Sequence, residues 1–495
     1  MLRGAAARLA YLFGVLAVVV LVVAAAPAVA NVPLTKVSSD PFTNPTSQHR
    51  TEVEPDTFAS GSTVLATFQV GRFFNGGASD IGWARSSDGG STWDTSSFLP
   101  GLTFSAGPFG DPGSPYERIS DPSVAYDAKH NTWMISSIPL LPNIETPTVF
   151  VSLSHDNGAT FGLPVQIPPP HTKRVDLDKN WTVCDNHPGS PFYGNCYTEF
   201  DNFGQGDVEY MSTSSDGGQI WKTPVSPAGN LKGLGGQPVV QPDGTVIVPF
   251  ESLRGTIAAF RSTDGGQTWS NEVRISKIRF HRNSGGLRTS PLPSAEIDAD
   301  GRVYVAWEDC RFEPKCSAND IVFSRSADGV NWSPVKRIPI DAVGSGVDHF
   351  IPGLAVDPAT SGSGAHLALT YYFYPDAACT PTTCKLDVGY ISSPDGGAHW
   401  SARTKLAGPM SLSDLALTTQ GRMVGDYIST SFNAAGTAAT VFAIGKPHTG
   451  KFREDMWAPT TPLPVASAAR ATHPARGGHA TGQGIGPAQQ AIRRN

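Results

Sequence analysis

Charged side chains in this chain collect at the ends of short apolar, strand-like runs. Glu52, Glu54 and Asp56 stand at the start of one run. Arg118 and Asp121, Asp178 and Lys179, Gln237, Arg288, Asp348 and His349, and Asp426 and Tyr427 stand at the starts of later ones. Where following runs end come Gln69 and Arg72, Glu199 and Asp201, Glu251 and Arg254, and then Glu308, Asp309 and Arg311. A guanidinium offers a planar fork to a carboxylate, and a positioned carboxyl can give or take a proton. Brought together, these groups would bind a polar or anionic small ligand, such as an acidic sugar, and perform acid–base chemistry on it. Taken singly, each also fits the duty of satisfying a neighbour at a strand end. The densest local group is Trp307-Glu308-Asp309-Cys310-Arg311, which a Cys310–Cys316 bridge would hold rigid. A buried salt bridge steadying a long loop is the competing reading of those residues.

What must position them is a repeat. Ser86-Ser87-Asp88-Gly89-Gly90-Ser91-Thr92-Trp93 returns around Asp156, Asp216, Asp264, Asp328 and Asp395, at intervals of 48 to 68 residues. Asp-Gly-Gly is tight-turn chemistry: glycine supplies positive φ, and the carboxylate accepts bonds from its own turn. Apolar runs on both sides make each copy a hairpin turn. These residues resemble the Asp box, or bacterial neuraminidase repeat, of sialidases and related β-propellers. The six aspartates are accordingly read as structural and not catalytic.

Between boxes, each repeat carries two more strand-like runs, as in Ser294–Ile297, the turn 298–301 and Val303–Trp307. Four strands per repeat make a propeller blade, so the expected fold is all-β: a single propeller of four-stranded antiparallel blades. Seven blades are preferred, with six as the alternative. The last blade is expected to take its inner pair from 426–444, its third strand from 451–457 and its outermost from 32–37. In such a blade the box turns lie on one face, and the charged strand starts ring the central funnel on the other, the natural concave site.

Residues 1–30 have the form of a secretory signal: Arg3 and Arg8, an apolar run, then Ala28-Val29-Ala30. An uncleaved anchor is the alternative. The propeller is assigned to 31–457, and the Ala/Pro/Gly-rich stretch 458–495 reads as a disordered tail. Six cysteines in sequence-local pairs, Cys184/Cys196, Cys310/Cys316 and Cys379/Cys384, fit three loop disulfides in an exported protein. Charged residues make up 16% of the chain and the net charge is −6, with no basic stripe, so nucleic acid is not an expected partner. No metal ligand set and no cofactor are expected, and the chain is read as a secreted monomer.

The sialidase resemblance implies an arginine triad, a Tyr/Glu nucleophile pair and an Asp acid. Arg311, following Gly301-Arg302-Val303-Tyr304, is similar in placement to a triad arginine, and Tyr427 to the nucleophile. The family's Arg-Ile-Pro motif lies ahead of the first box, whereas Arg337-Ile338-Pro339 here follows the fifth and does not transfer. Where the family carries its Glu, this chain has Arg288 and Thr289. The expected function is a sialidase-like glycoside hydrolase acting on an acidic or polar glycan. Tyr427, Asp426, Glu308, Asp309, Glu199 and Glu251 are its catalytic candidates, and Arg311, Arg288, Arg72, Asp121 and His349 its binding candidates. The alternative is a non-catalytic propeller that binds glycan or protein on the same face.

Overall fold

The computed structural model describes residues 32–94 and 96–465. The expected signal segment and residues 466–495 of the expected tail lie outside that range. Glycine- and proline-rich turns break the apolar runs into short strands, so the fold is all-β. Helix among the described residues amounts to short 3-10 turns, and none is long and apolar enough to cross a membrane.

The strands pair in sequence order as antiparallel meanders. Gln48–Ser60, Thr63–Arg72, Ala78–Ser86 and Ser97–Phe98 form the first. Arg118–Asp127, Thr132–Leu140, Phe150–Ser154 and Val165–Gln166 form the next. In the third, Leu177–Cys184, Cys196–Asn202 and Val208–Ser214 are joined by a bridge from Met211 to Val225. Val239–Val240, Val246–Ser252, Thr256–Ser262 and Val273–Lys277 follow, then Ser294–Ile297, Val303–Asp309, Asp320–Ser326 and Lys336–Arg337. Asp348–Val356, Leu367–Tyr374, Lys385–Ser393 and Thr404–Ser411 come next. Finally Ser429–Phe432, Thr437–Gly445 and Glu454–Pro459 take an outer strand, Leu34–Lys36, from the other end of the chain. Pairing runs past the expected edge at 457, because Leu463–Pro464 also adds to Thr437–Gly445.

The core is a series of apolar layers between consecutive sheets. Leu65, Ile81 and Trp83 pack on Val124, Trp133 and Ile135; Met134 and Val151 pack on Leu177 and Phe200; Tyr197 packs on Val246 and Phe260. Ile247 and Ile257 pack on Val303 and Val305, and Tyr304 and Phe323 on Leu354 and Leu369. One further layer holds Tyr372 and Val388 with Val441 and Phe442, and with Ala66 and Phe68 of the first sheet. Inner strands are therefore covered on both faces, which is why they read as nearly continuous apolar runs.

Each Asp-box turn is tied internally. In the fourth, Asp264 Oδ1 accepts from Ser262 Oγ at 2.8 Å and from the Gln267 and Thr268 amides at 3.0 Å, and Oδ2 accepts from Thr268 Oγ1 at 2.6 Å. The Gly266 amide donates to Ser262 Oγ at 3.0 Å. The other boxes keep the serine–aspartate bond and vary its partners, with Asn331 and His399 replacing the threonine in the fifth and sixth. The box glycine also lies against the preceding sheet: a Cβ on Gly266 (φ 79°) would stand 2.4 Å from Thr213 Oγ1 and 2.9 Å from Tyr197. Gly158 meets Leu65, Gly329 meets Ile247 and Gly397 meets Phe323 in the same way, and Gly90 meets Ala439 of the last sheet. Arginines on third strands add a second tie to the following box, Arg85 to Asn157 O, Arg261 to Asp328 O and Arg325 to Gly396 O, at 2.7–2.9 Å. Three disulfides join Cys184 to Cys196, Cys310 to Cys316 and Cys379 to Cys384, the expected pairs.

Slight burial works against the Asp264 charge, but the bonds from Thr268, Ser262 and Gln267 prevail and hold its carboxyl below the ordinary range. A lowered carboxyl stabilises the fold above its unfolded pKa of about 4, and that contribution fades as pH falls. Asp264→Ala should therefore cost about 1–3 kcal/mol in urea unfolding at pH 7. The difference from wild type should narrow as pH is taken from about 4 towards 2.

Candidate functional site

Four innermost strands share one irregularity. Opposite pairing skips from Val53 to Asp56, from Ser120 to Ser123, from Asp178 to Trp181 and from Phe350 to Gly353, so two residues oppose one. These are β-bulges, which re-aim a side chain at the cost of local strain. The bulged residues Glu54, Asp121, Lys179 and Ile351 have φ of 56°, 49°, 53° and 52°, a region non-glycine residues seldom occupy. Three of the four are charged, and all three line one cleft.

That cleft opens to solvent, spans about 870 Å³ with its open mouth included, and is lined by Glu54, Arg72, Asp121, Asp178, Lys179, Asp201, Asp207, Arg288 and Asp426, with Phe203, Leu140 and Ile144 among its apolar walls. Its centre is an ion network. Lys179 Nζ contacts Asp426 Oδ2 and stands 3.5 Å from Asp121 Oδ1 and 3.8 Å from Glu54 Oε1. Arg288 grips Asp426 with both prongs, Nε to Oδ1 at 2.6 Å and Nη2 to Oδ2. Glu54 accepts from the Asp426 amide at 3.3 Å and from Gln69. Arg72 donates to Gly77 O at 2.7 Å and rests on Met423 Sδ.

Burial divides these groups. Desolvation, then the Asp121 charge, raises Glu54 to about 7, with Lys179 opposing. Burial alone would also raise Asp426, but Arg288 and Lys179 overcome it and hold that carboxyl far below the usual range. Burial lowers Lys179, yet Asp426, Asp121 and Glu54 together push its ammonium above its ordinary value. One carboxyl is thus poised to carry a proton near neutrality and another is fixed as an anion. Glu54 and Lys179 stand in the ring of charged strand starts without an assigned role; a proline after the bulged residue marks Glu54, Asp121 and Ile351 but not Lys179, which precedes Asn180.

The structure brings Arg72, Arg288, Asp121 and Asp426 into the cleft and leaves the other expected site residues outside its lining. Tyr427 sits below it, its hydroxyl donating to Pro122 O at 3.0 Å and its ring edge-on to Trp181. Burial, then the charge of Glu54, pushes that phenol well up, so it is held protonated against an oxygen that only accepts. Arg311 folds back on Asp309, Nε to Oδ1 at 2.8 Å and Nη2 to Oδ2 at 2.7 Å, over Trp307. That local ion pair keeps both from the cleft. Glu308 is wholly buried and, through burial and the nearby Asp348 and Glu251 charges, well above the carboxylate range. Glu199 is likewise buried, against Gly236, and burial, then the charge of Glu209, raises its carboxyl well above the usual range. Glu209, which no motif marked, is raised by burial to about 7. His349 lies in a separate cluster beside Asp341.

Compared with known proteins, no family model matches the chain. A sialidase of Bacteroides fragilis (strain YCH46) is 25% identical over 288 residues, 53% of this chain and 49% of that protein. The fold is sialidase-like. The match spans about half the length of that curated relative. Among solved structures, phage phi92 endosialidase aligns over 92% of this chain and 72% of its own, at 12% identity and a TM-score of 0.49. The NanB sialidase of Streptococcus pneumoniae aligns over 88% and 71%, at 13% and 0.45. A protein of unknown function from Dyadobacter fermentans DSM 18053 aligns over 73% and 99%, at 14% and 0.46. The cleft of this chain is lined by two arginines, Arg72 and Arg288, the second already bidentate on Asp426.

Removing one partner of a buried ion network leaves its counter-charges stranded. Lys179→Met should lower stability by about 3–5 kcal/mol at pH 8. The loss should shrink towards pH 5 as the abandoned carboxyls take up protons, and Asp426→Asn added to it should cost less than in wild type. Urea titrations of the four proteins at both pH values would check all three statements.

Proposed function

We propose that this sialidase-like chain is an exported glycoside hydrolase that cleaves a polar or acidic glycan in the central cleft. The carrying observation is the pair Glu54 and Asp121. Both are on bulges, both line the cleft, and both lie within 3.8 Å of the one Lys179 ammonium. That keeps the two carboxyls no farther apart than those of glycoside hydrolases. Glu54, protonated up to about pH 7, would donate to the departing glycosidic oxygen. Asp121, 3.5 Å from the Lys179 ammonium, would serve as nucleophile or as base for water. Arg72 and the outer face of Arg288 supply positive potential for an acidic sugar, and Asp178, Asp201 and Asp207 suit its hydroxyls. Asp426 holds Arg288 and Lys179 in place, and Tyr427 braces the second bulge through Pro122.

We read the sheet series as seven blades, with the first and last described strands completing the seventh. The pairing of Leu34–Lys36 with Glu454–Pro459 supports this, as does the packing of Gly90 on Ala439. Three disulfides and the signal-like start of the chain support export. A second reading, a non-catalytic glycan-binding propeller, is favoured by one observation: Arg288 and Lys179 are both already engaged by Asp426.

Turnover of a panel of aryl and natural glycosides, sialosides and uronides included, tests the proposal. Glu54→Gln should lower kcat by about 10²–10⁴ on natural linkages and less on aryl glycosides, whose leaving group needs little protonation. Asp121→Asn should impair both classes. Because Glu54 must be protonated, kcat/KM should fall as pH rises through about 7. Glycan binding by the folded protein without turnover anywhere on the panel would leave the binding reading in its place.

A further inference from the structure

A second cluster lies away from the cleft, where the outer strand Lys336–Arg337 leads through a loop into Asp348–Val356. Arg337 Nη2 contacts Asp320 Oδ1 at 2.7 Å and Asp341 Oδ1 at 2.8 Å, with Glu313 at 3.9 Å. The arginine takes one oxygen from each aspartate and turns the other away from itself. Asp320 Oδ2 has no hydrogen-bond partner among the described residues although its side chain is only 2% exposed, and Asp341 Oδ2 accepts a single bond, from Ser345 Oγ at 2.9 Å.

His349 completes the group. Its side chain is fully buried, wedged between Tyr371 and Phe373. Nδ1 lies 3.3 Å from Asn319 O, and a carbonyl only accepts, so Nδ1 carries the ring proton. Nε2 then presents a lone pair, yet it has no hydrogen-bond partner and stands 3.6 Å from Asp341 Oδ2. An imidazole whose far nitrogen donates to a backbone carbonyl while the near one points at carboxylates has the orientation of a metal ligand. Donor atoms of Asp320, Asp341 and His349 all lie within 4.8 Å of one another.

We propose that Asp320, Asp341 and His349 bind one divalent transition-metal cation, Zn²⁺ being the ion that a one-imidazole, two-carboxylate set suits. A four-coordinate ion with bonds of about 2.0–2.2 Å holds its donors roughly 3.5 Å apart, so the His349–Asp341 side is already set and the third donor closes by a small shift. Water takes the fourth position. The ion joins the strand beginning at Asp320 to the next sheet's inner strand through the loop bearing Asp341, and so fastens one sheet to the next. It would account for two buried polar atoms that otherwise have no partner. The ligands are scattered at 320, 341 and 349 without motif spacing, so His349 stands out in the sequence only as a charged strand start and not as part of a metal set.

The test uses the full secreted chain stripped with chelator and then titrated with Zn²⁺ by calorimetry, with Co²⁺ as a spectroscopic probe. One equivalent of Zn²⁺ should bind and raise Tm, and Co²⁺ should give the intense visible bands of a four-coordinate site. His349→Gln and Asp341→Asn should each weaken Zn²⁺ at least tenfold and abolish the Co²⁺ bands. Asp341→Asn keeps an oxygen for Arg337, and urea unfolding of the stripped variant would establish that it folds. Zn²⁺ binding of equal strength in wild type and both folded variants would overturn the proposal, as would a preference for Ca²⁺ over Zn²⁺, or no stoichiometric binding by wild type.

Discussion

The contact on which this architecture depends is the seating of each Asp-box turn on the sheet before it. The serine–aspartate bond fixes the turn, and the fixed turn brings a side-chain-free glycine onto Leu65, Thr213 and Tyr197, Ile247 or Phe323. Local order thereby becomes order between sheets. A four-stranded meander alone would leave both apolar faces in water; seated against its neighbours it buries both. The arginines at 85, 261 and 325 repeat that tie in a second chemistry, charge-assisted bonds to box carbonyls.

With the outer turns carrying the load between sheets, the inner ends of the strands are released from it and can depart from regular pairing. The bulges at Glu54, Asp121 and Lys179 are such departures, and they turn three charged side chains towards one point. There desolvation and pairing act against each other. Asp426 has two cations and remains an anion; Glu54 shares its cation with two other carboxylates and is left near neutrality. The same residue type thus acquires two characters from position alone.

The fold was legible because its signals are local. Asp-Gly-Gly with a preceding serine and a following aromatic specifies a turn wherever it occurs, and four such copies with two close variants, Asp156-Asn157-Gly158 and Asp328-Gly329-Val330, specify a repeat. The sequence-adjacent cysteines were equally plain. The site was only partly legible, since its residues come from strands far apart in the chain. Arg288, Asp121 and Asp426 could be placed in a ring by counting strand starts, and Arg72 by its strand end, but not their mutual distances. Lys179, from another repeat, is what engages Asp426 along with Arg288, and no spacing rule joins 179, 288 and 426. Arg311 misled for a related reason. Its place at a strand end matched the sialidase pattern, while Asp309, two residues away, offered a nearer partner than any ligand.

The left-handed backbone at three charged positions has a consequence for how the chain can change over time. At each of them glycine would relieve about 1–3 kcal/mol of conformational strain, and single-base substitutions can turn aspartate or glutamate codons into glycine codons. A lineage that ceased to use the cleft could shed that strain only by exchanging the charged set together, because glycine at 54 or 121 alone would leave Lys179 short of a counter-charge. Ile351, apolar and equally strained, offers an internal control: drift there would report loosened packing and not a loss of use. The backbone angles at these positions therefore make the chain's descendants a record of whether the cleft is still at work.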